Sequence, residues 1–264
     1  MNYHITKQFV TIISLAMLLA SCGNSQSGSS DSEQIPVTYE TAFQRAYGPR
    51  LSATPDTLAL GYYLGMTKSQ TSAHVKSLAK KKKVFYKNYK GYIYQMPLTH
   101  YDNAGKTTDN FVFRVSTEHY KDTLKALSLW LKGSDNNHSG YALATEYHNL
   151  TIEDLYKEFG PIFEAKGYLC KAVDPGMTMY SDPKYGLPEA KWKGTEYRFV
   201  KDNTLIRLWK GQEWDSDFFI TYYDMSVLYK EQQDIAAKKA AVAKKVAEEN
   251  AAREEEKKGF LRDF

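Results

Sequence analysis

Apolar residues recur along this chain with two periods, and each change of period marks an element. Leu58, Leu60, Tyr62 and Leu64 alternate, which predicts a strand. Gly65-Met66-Thr67 ends it, and Thr67 with Gln70 three residues on makes a capping box. The helix so started is predicted to run to about Lys82, with Ala73, Val75, Leu78 and Ala79 inward and Lys80 to Lys83 at its cation-favouring end. Strands are predicted at 84–87, 90–98 and 108–116, with Asn103-Ala104-Gly105 as a hairpin turn between the last two. The stretch 117–132 carries both periods. Tyr120, Leu124, Leu127 and Leu131 suit a helix face, while Leu127, Leu129 and Leu131 suit a strand. A turn at Tyr120-Lys121-Asp122 and a strand from Leu124 to Leu131 is preferred, because it closes a meander.

Gly133 to Gly140 is polar and is expected to be a loop. Leu143, Tyr147, Leu150, Leu155 and Phe159 then fall mostly at helical intervals, with Gly160-Pro161 as the expected stop. Residues 161–191 are rich in Pro and Gly and are expected to be irregular. Strands Glu196–Val200, Thr204–Lys210 and Asp217–Tyr223 follow, the first two joined by a turn at Lys201-Asp202-Asn203. The order implies an α+β domain over 56–225: two αβββ-like halves with antiparallel meanders packed on helices.

From Met225 to Lys258 the chain turns to Ala, Lys and Glu with no Gly or Pro. These are strong helix formers, and the length corresponds to roughly 50 Å of helix. Leu228, Ile235 and Val242 repeat every seven residues and Val246 adds a fourth contact, but Lys239, Glu249 and Arg253 break the seam. A single protruding helix over 226–264 is therefore preferred to a coiled coil. Phe260, Leu261 and Phe264 form an apolar tip beyond its end, a candidate partner contact.

The first 21 residues show a further pattern: His4 and Lys7 without an acid, an apolar run from Phe9 to Ala20, then small residues. The run is too short to span a bilayer and reads as a secretory signal peptide. Leu19-Ala20-Ser21-Cys22 resembles the lipobox of bacterial lipoproteins. That resemblance implies a diacylglycerol, and in full form a palmitate-type third chain, on Cys22 after cleavage before it. Several acyl chains hold a protein on a membrane where one does not. Gly23 after the cysteine leaves out the aspartate that retains many lipoproteins in the inner membrane. An outer-membrane anchor follows, periplasmic face or surface undecided. Residues 22–55 are expected to be a flexible tether, Gly/Ser/Asn/Gln-rich at first and punctuated by Pro36, Pro49 and Pro55.

Three further pieces carry a second resemblance: Leu64-Gly65-Met66-Thr67 before a helix; Tyr147, Leu150, Leu155 and Phe159-Gly160-Pro161; and Ile220-Thr221-Tyr222-Tyr223-Asp224 before a terminal helix. With these the chain resembles uncharacterised envelope lipoproteins and secreted proteins of the Bacteroidota. The Gly-Met-Thr entry is also similar to the small lipoprotein of the β-barrel assembly machinery, over about fifteen residues. The resemblance implies an envelope-facing α+β domain and no particular site.

Charge and chemistry change this picture little. The chain holds 35 Lys+Arg against 31 Asp+Glu. Removing Lys7 with the leader leaves 34 against 31, or +3. This balance asks for no nucleic acid partner. With Cys22 taken by lipid, Cys170 has no disulfide partner and reads as a small buried hydrophobe. The histidines make no metal-binding spacing and no cofactor loop appears, so no cofactor is expected. His100 with Asp102 reads as a solvated turn. Glu213, Asp215 and Asp217 are the one loop able to offer paired carboxylates for glycoside chemistry. Trp192, Trp209 and Trp214 stand in a denser aromatic group with Tyr197, Phe199, Phe218 and Tyr222. Strand alternation sends about half of that group inward and leaves too few rings for a platform, so core is the preferred reading, with Trp192, Trp209 and Trp214 kept as ligand-stacking candidates. The expected function is a non-catalytic, membrane-anchored protein-interaction module reaching envelope proteins through its terminal helix. A carbohydrate-binding lipoprotein is the alternative, and a hydrolase the third reading.

Overall fold

The computed structural model describes residues 37–52, 56–87, 91–102, 105–131, 151–173, 180–182, 185, 187–190, 196–210 and 218–262. The leader, Cys22, the 133–140 loop, Trp192, Trp214, Phe264 and the acidic loop 213–217 lie outside them. The chain divides at Pro36, and every described residue belongs to the second unit, Val37–Phe264.

That unit begins earlier than the hydropathy pattern implies. Residues 39–46, expected as tether, form helix α1 (Tyr39–Ala46), capped by the Thr38 hydroxyl on the Thr41 amide. Phe43 and Ala46 are buried, and Asn203 donates to the Ala46 and Pro49 carbonyls. The expected strand at Leu58–Leu64 is instead a 3₁₀ turn over Ala59–Gly61. Leu60 and Gly61 both take positive φ, at 57° and 76°, so the alternating leucines fold back on themselves. Leu58, Tyr62 and Leu64 are buried all the same. Their alternation reported burial correctly and backbone shape wrongly.

Helix α2 (Lys68–Lys80) starts on the predicted capping box, Thr67 with Gln70. It ends in a left-handed residue, Lys82, whose neighbour Lys83 donates back to the Leu78 carbonyl. Strands β1 (Phe85–Lys87), β2 (Gly91–Asp102), β3 (Gly105–Tyr120) and β4 (Thr123–Leu131) follow as an antiparallel meander. The ambiguous segment is therefore strand, entered through Lys121-Asp122 after a bulge at Glu118/His119.

Helix α3 (Ile152–Ala165) again starts on a threonine capping box, Thr151 with Asp154. It runs straight through Gly160-Pro161, the predicted stop. The pair serves packing. The Tyr156 ring lies across Gly160, where a Cβ would sit 2.8 Å from it, and stacks on Tyr197 at 4.1 Å between ring centres. The helix ends one turn later at Gly167, φ 83°, with the Tyr168 amide donating to Phe163.

Strand β5 (Leu169–Val173) lies in the stretch expected to be irregular. Strands β6 (Tyr180–Asp182) and β7 (Leu187–Ala190) form a separate two-stranded ribbon. Strands β8 (Glu196–Lys201), β9 (Thr204–Lys210) and β10 (Phe218–Asp224) complete the second meander, and helix α4 (Met225–Arg262) closes the chain.

The fold is α+β. Both meanders join one eight-stranded sheet in the order β1-β2-β3-β4-β10-β9-β8-β5. The halves meet through their last strands, β4 and β10, paired antiparallel from Phe218 with Leu131 to Tyr223 with Ala126. Each half is a threonine-capped helix followed by its strands, and the order mirrors about that pair. One face of the sheet carries Phe111, Phe113, Leu127, Leu129, Leu131, Phe199, Ile206, Leu208, Ile220 and Tyr222 against Leu78 of α2 and Leu155 and Phe163 of α3. The opposite face is covered at one end by Phe43 and Ala46 of α1 and by Met225 and Leu228 at the root of α4.

Candidate functional site

Strand alternation sends every second residue of β4, β9, β10 and β8 to the face away from α2 and α3. Two cross-strand rows result. In the first, Arg114 pairs with Trp130, Trp130 with Phe219, and Phe219 with Trp209, each directly opposite on the next strand. The rings form a ladder. Trp209 stacks on Phe219 at 4.5 Å, Trp130 on Phe219 at 5.7 Å, and the Arg114 guanidinium lies 5.6 Å over Trp130. All four side chains are half-buried. Pairs of this kind stabilise a sheet by about 0.2–1 kcal/mol each, so the ladder also stiffens the joint between the halves.

The second row runs Ser128, Thr221, Arg207, Arg198. Trp209 Nε1 donates to Thr221 Oγ1 at 3.0 Å, and Ser128 Oγ donates to the same oxygen at 3.3 Å. Arg207 makes a bidentate pair with Glu196, Nε to Oε1 at 2.6 Å and Nη2 to Oε2 at 2.8 Å. Arg198 Nε reaches the same Oε1 at 2.6 Å. The Arg207 guanidinium also sits 4.9 Å over the Trp209 ring and 5.9 Å from that of Tyr223. Glu196 and Arg207 are wholly buried and Arg198 nearly so, so two cations share one carboxylate away from water. Beyond Arg198 a cavity of about 230 Å³ opens towards Tyr39, Gln44, Lys171 and Tyr185, with Lys171 held by Glu40 at 2.6 Å.

Glu196, Tyr223 and Tyr39 keep one charge state near neutral pH. Burial alone would raise the Glu196 carboxyl, but Arg207 and Arg198 outweigh it and hold it below the ordinary range. Burial raises the Tyr223 and Tyr39 hydroxyls, with Arg207 and Arg198 respectively opposing the rise. On the opposite, helix-facing side, across from Phe199, burial pushes the Cys170 thiol up to about 11, so it stays protonated and a poor nucleophile. Such an arrangement of rings, guanidiniums and carboxylate stacks and hydrogen-bonds.

Of the predicted aromatic group, Tyr197, Phe199, Phe218 and Tyr222 join the helix-facing core. Trp209 alone among the three tryptophan candidates is described, and it stands on the ladder. His74 is engaged with the Leu60 carbonyl at 3.0 Å and edge-on to Tyr62. His119 bonds the Thr71 hydroxyl at 3.0 Å, and burial lowers its pKa. Sequence reasoning missed Trp130, Phe219 and Arg114 as the neighbours of Trp209, and missed the Glu196 cluster altogether. The available signal was the polar or aromatic residue at each alternate position of the strands: Ser128 and Trp130, Phe219 and Thr221, Arg207 and Trp209.

At the tip of α4, Phe260 and Leu261 are each 63% exposed. The helix root is fixed to the body. Asp224 accepts from the Ser226 and Val227 amides and is ion-paired with Arg50, and Asp234 accepts from Tyr120 and Lys121. From Ile235 to Arg262 every residue is exposed. Among the described residues no helix is long and apolar enough to cross a membrane. Compared with protein-family models, curated proteins and solved structures, the chain matches none.

Proposed function

We propose that this chain is a lipid-anchored protein of the bacterial outer membrane, held through Cys22, that acts by binding rather than by catalysis. Envelope proteins are the partners, reached through helix α4 and its apolar tip. The observation that carries the reading is the length of α4 beyond the body. Its first three turns are packed or ion-paired, and the rest, Ile235 to Arg262, is exposed all round. That part adds nothing to the core, and an Ala/Lys/Glu helix is stable enough to stand as a presented surface. The fixed charge states of Glu196, Tyr223 and Tyr39 support a binding role in the same way.

Deleting residues 236–262 and comparing the envelope proteins that co-purify tests this reading. A depleted set is expected; an unchanged set overturns it. The anchor is tested separately by Cys22→Ala, which is expected to move the protein from the membrane fraction to a soluble one.

A second reading, sugar recognition, is favoured by one observation: the stacked Trp209, Phe219 and Trp130 rings with Arg114 at their end. The ring faces cover one another and carry Arg207 and Arg114 at the two ends, so a sugar would meet the ring edges and the Arg114 guanidinium. A glycan array on the intact protein and on Trp209→Ala separates the two. Signal lost in a variant with unchanged circular dichroism favours sugar.

A further inference from the structure

The near-balance of charge over the whole chain hides one basic region. Between Asp56 and Asp102 there are eight lysines and no acid. Taking these eight from the 35 Lys+Arg leaves 27 against 31 Asp+Glu, so the rest of the chain carries −4. The helical period puts Lys76 and Lys80 on the side of α2 away from Leu78, which faces the core. Lys81, Lys82 and Lys83 follow in the turn, and all five are exposed. Elsewhere lysines find acids: Lys121 with Asp234, Lys125 with Glu118, Lys171 with Glu40. Among the described residues Lys76 and Lys80 to Lys83 make no ion pair. Asp122 touches α2 at its other end, accepting from the Lys68 amide, roughly 18 Å of helical rise from Lys80.

Local folding does not ask for four lysines here. One or two cations in the last turn already complement the helix dipole. Lys82 takes the left-handed conformation, φ 54°, where glycine would sit without strain. Directly after the lysines come two exposed rings, Phe85 at 44% and Tyr86 at 64%. They stand on β1, the last strand at this edge of the sheet, and alternation puts one ring on each side of that edge.

We propose that the end of α2 and the edge strand β1 form a second membrane contact, one that takes the surface of an anionic phospholipid bilayer. Lys80 to Lys83, with Lys76 one turn behind, meet the lipid phosphates. The Phe85 and Tyr86 rings enter the headgroup layer, the depth at which amphipathic aromatic faces are favoured. Lysine suits the place, because its stem lies along apolar surface while the ammonium stays with phosphate and water. An anionic polysaccharide would pair with the lysines equally well, but it offers the rings no apolar layer beneath the charges. The choice of a bilayer also rests on the anchor at Cys22, which keeps the body beside a membrane; the basic surface itself does not depend on it. The contact holds the body at one orientation rather than free on its tether. It falls off within a Debye length and is released by salt, so fractionation of Cys22→Ala in salt still reads the acyl anchor.

The test is sedimentation of the full chain carrying Cys22→Ala with vesicles of phosphatidylcholine, alone or mixed in equal parts with phosphatidylglycerol. The apolar run Phe9 to Ala20 is common to every variant and enters both vesicles, so the difference between the two is the readout. At low salt the mixed vesicles are expected to bind on the order of a hundredfold tighter, from about fivefold per lysine near the surface. Exchanging Lys80 to Lys83 for glutamine is expected to abolish that difference. Exchanging Lys238, Lys239, Lys244 and Lys245 on α4 for glutamine removes the same charge and is expected to leave it in place. Equal losses in the two variants mean that net charge binds rather than this surface, and overturn the proposal, as does an unsubstituted chain that treats both vesicles alike. Lys82→Gly guards against misfolding: glycine suits the left-handed turn, yet binding is expected to fall about fivefold. Phe85→Ser with Tyr86→Ser is expected to lower affinity for the mixed vesicles about tenfold, the apolar share of the contact. If the serine pair binds them like the parent, the rings stay out of the bilayer, the surface is one for a soluble polyanion such as heparin, and the lipid assignment falls. A negative result leaves Cys22 lipidation standing, since acyl chains are absent from every sample, and a parent chain found unlipidated leaves the vesicle result standing.

Discussion

On one face of the sheet Leu127, Leu129, Leu131, Ile206, Leu208 and Ile220 meet α2 and α3 with hydrocarbon alone. On the other, at alternate positions of the same strands, stand Ser128, Trp130, Thr221, Arg207 and Trp209. Both faces are largely dry at β8–β10, yet their cohesion differs in kind. The apolar face gains from area removed from water, which is tolerant of detail. The polar face gains only when each charge and donor finds its partner, and loses heavily when one is missing. A face built in this second way is specified closely, which suits a surface that must hold rings and guanidiniums in one geometry.

The sharpest way to break this contrast is Glu196→Gln. It leaves the volume almost unchanged and removes the carboxylate that Arg207 and Arg198 share. Removing the charge that the two buried guanidiniums share should cost about 3–5 kcal/mol. Chemical denaturation measures it, and a loss below about 1 kcal/mol would mean that water reaches the cluster. The same cluster sets an acid limit. The Glu196 carboxyl titrates below the ordinary 4.5 because the guanidiniums outweigh its burial. Its contribution is therefore full above about pH 4.5 and is lost as pH falls through the lower, folded value. Stability measured against pH should drop below that point in the parent chain and lose this component of the slope in Glu196→Gln.

The control on the opposite face is Leu208→Ala. It sits wholly buried beside Phe199 and Ile220 in the helix-facing cluster. The loss should be about 2–5 kcal/mol, the lower end if α3 settles into the space. The acid component should survive intact, because Glu196 is untouched. Loss of that component in Leu208→Ala would show that the two faces are not independent.

The unequal legibility of the faces in the sequence has the same origin. Leu127, Leu129 and Leu131 fit their strand by period once the meander is closed, and Thr67 announces a helix start through a contact three residues away, whereas the same device at Thr151 went unread in a helix expected from Leu143. Local rules suffice for local structure. They failed where a residue does two things. Gly160-Pro161 reads as a stop, yet the glycine is there to admit the Tyr156 ring. Strand β5 carries Lys171 and Ala172 exposed at the sheet edge and so lacks an apolar alternation. Helix α1 is eight residues in a polar stretch, stabilised by Asn203 and Phe43 contacts that no window contains. The ladder needs the pairing of β4 with β10, about ninety residues apart. Trp209 was recognisable as a candidate by type, but its neighbours follow only from that register.

The finest test of the contrast is Thr221→Val, a change of one hydroxyl for one methyl. Thr221 is buried at the centre of the second row, and its oxygen accepts from both Trp209 Nε1 and Ser128 Oγ. On the apolar face such an isosteric swap would be close to neutral. Here it strands two donors, at a cost of about 1–3 kcal/mol. Thr221→Ser keeps the acceptor and should recover most of that, apart from the small loss of a buried methyl. The indole emission of Trp209 offers a second readout, since loss of the Nε1 bond should shift it in the valine variant and leave it in place in the serine one. If valine and serine behave alike, methyl packing rather than the shared oxygen holds the row together, and the difference between the two faces of the sheet reduces to the Glu196 cluster.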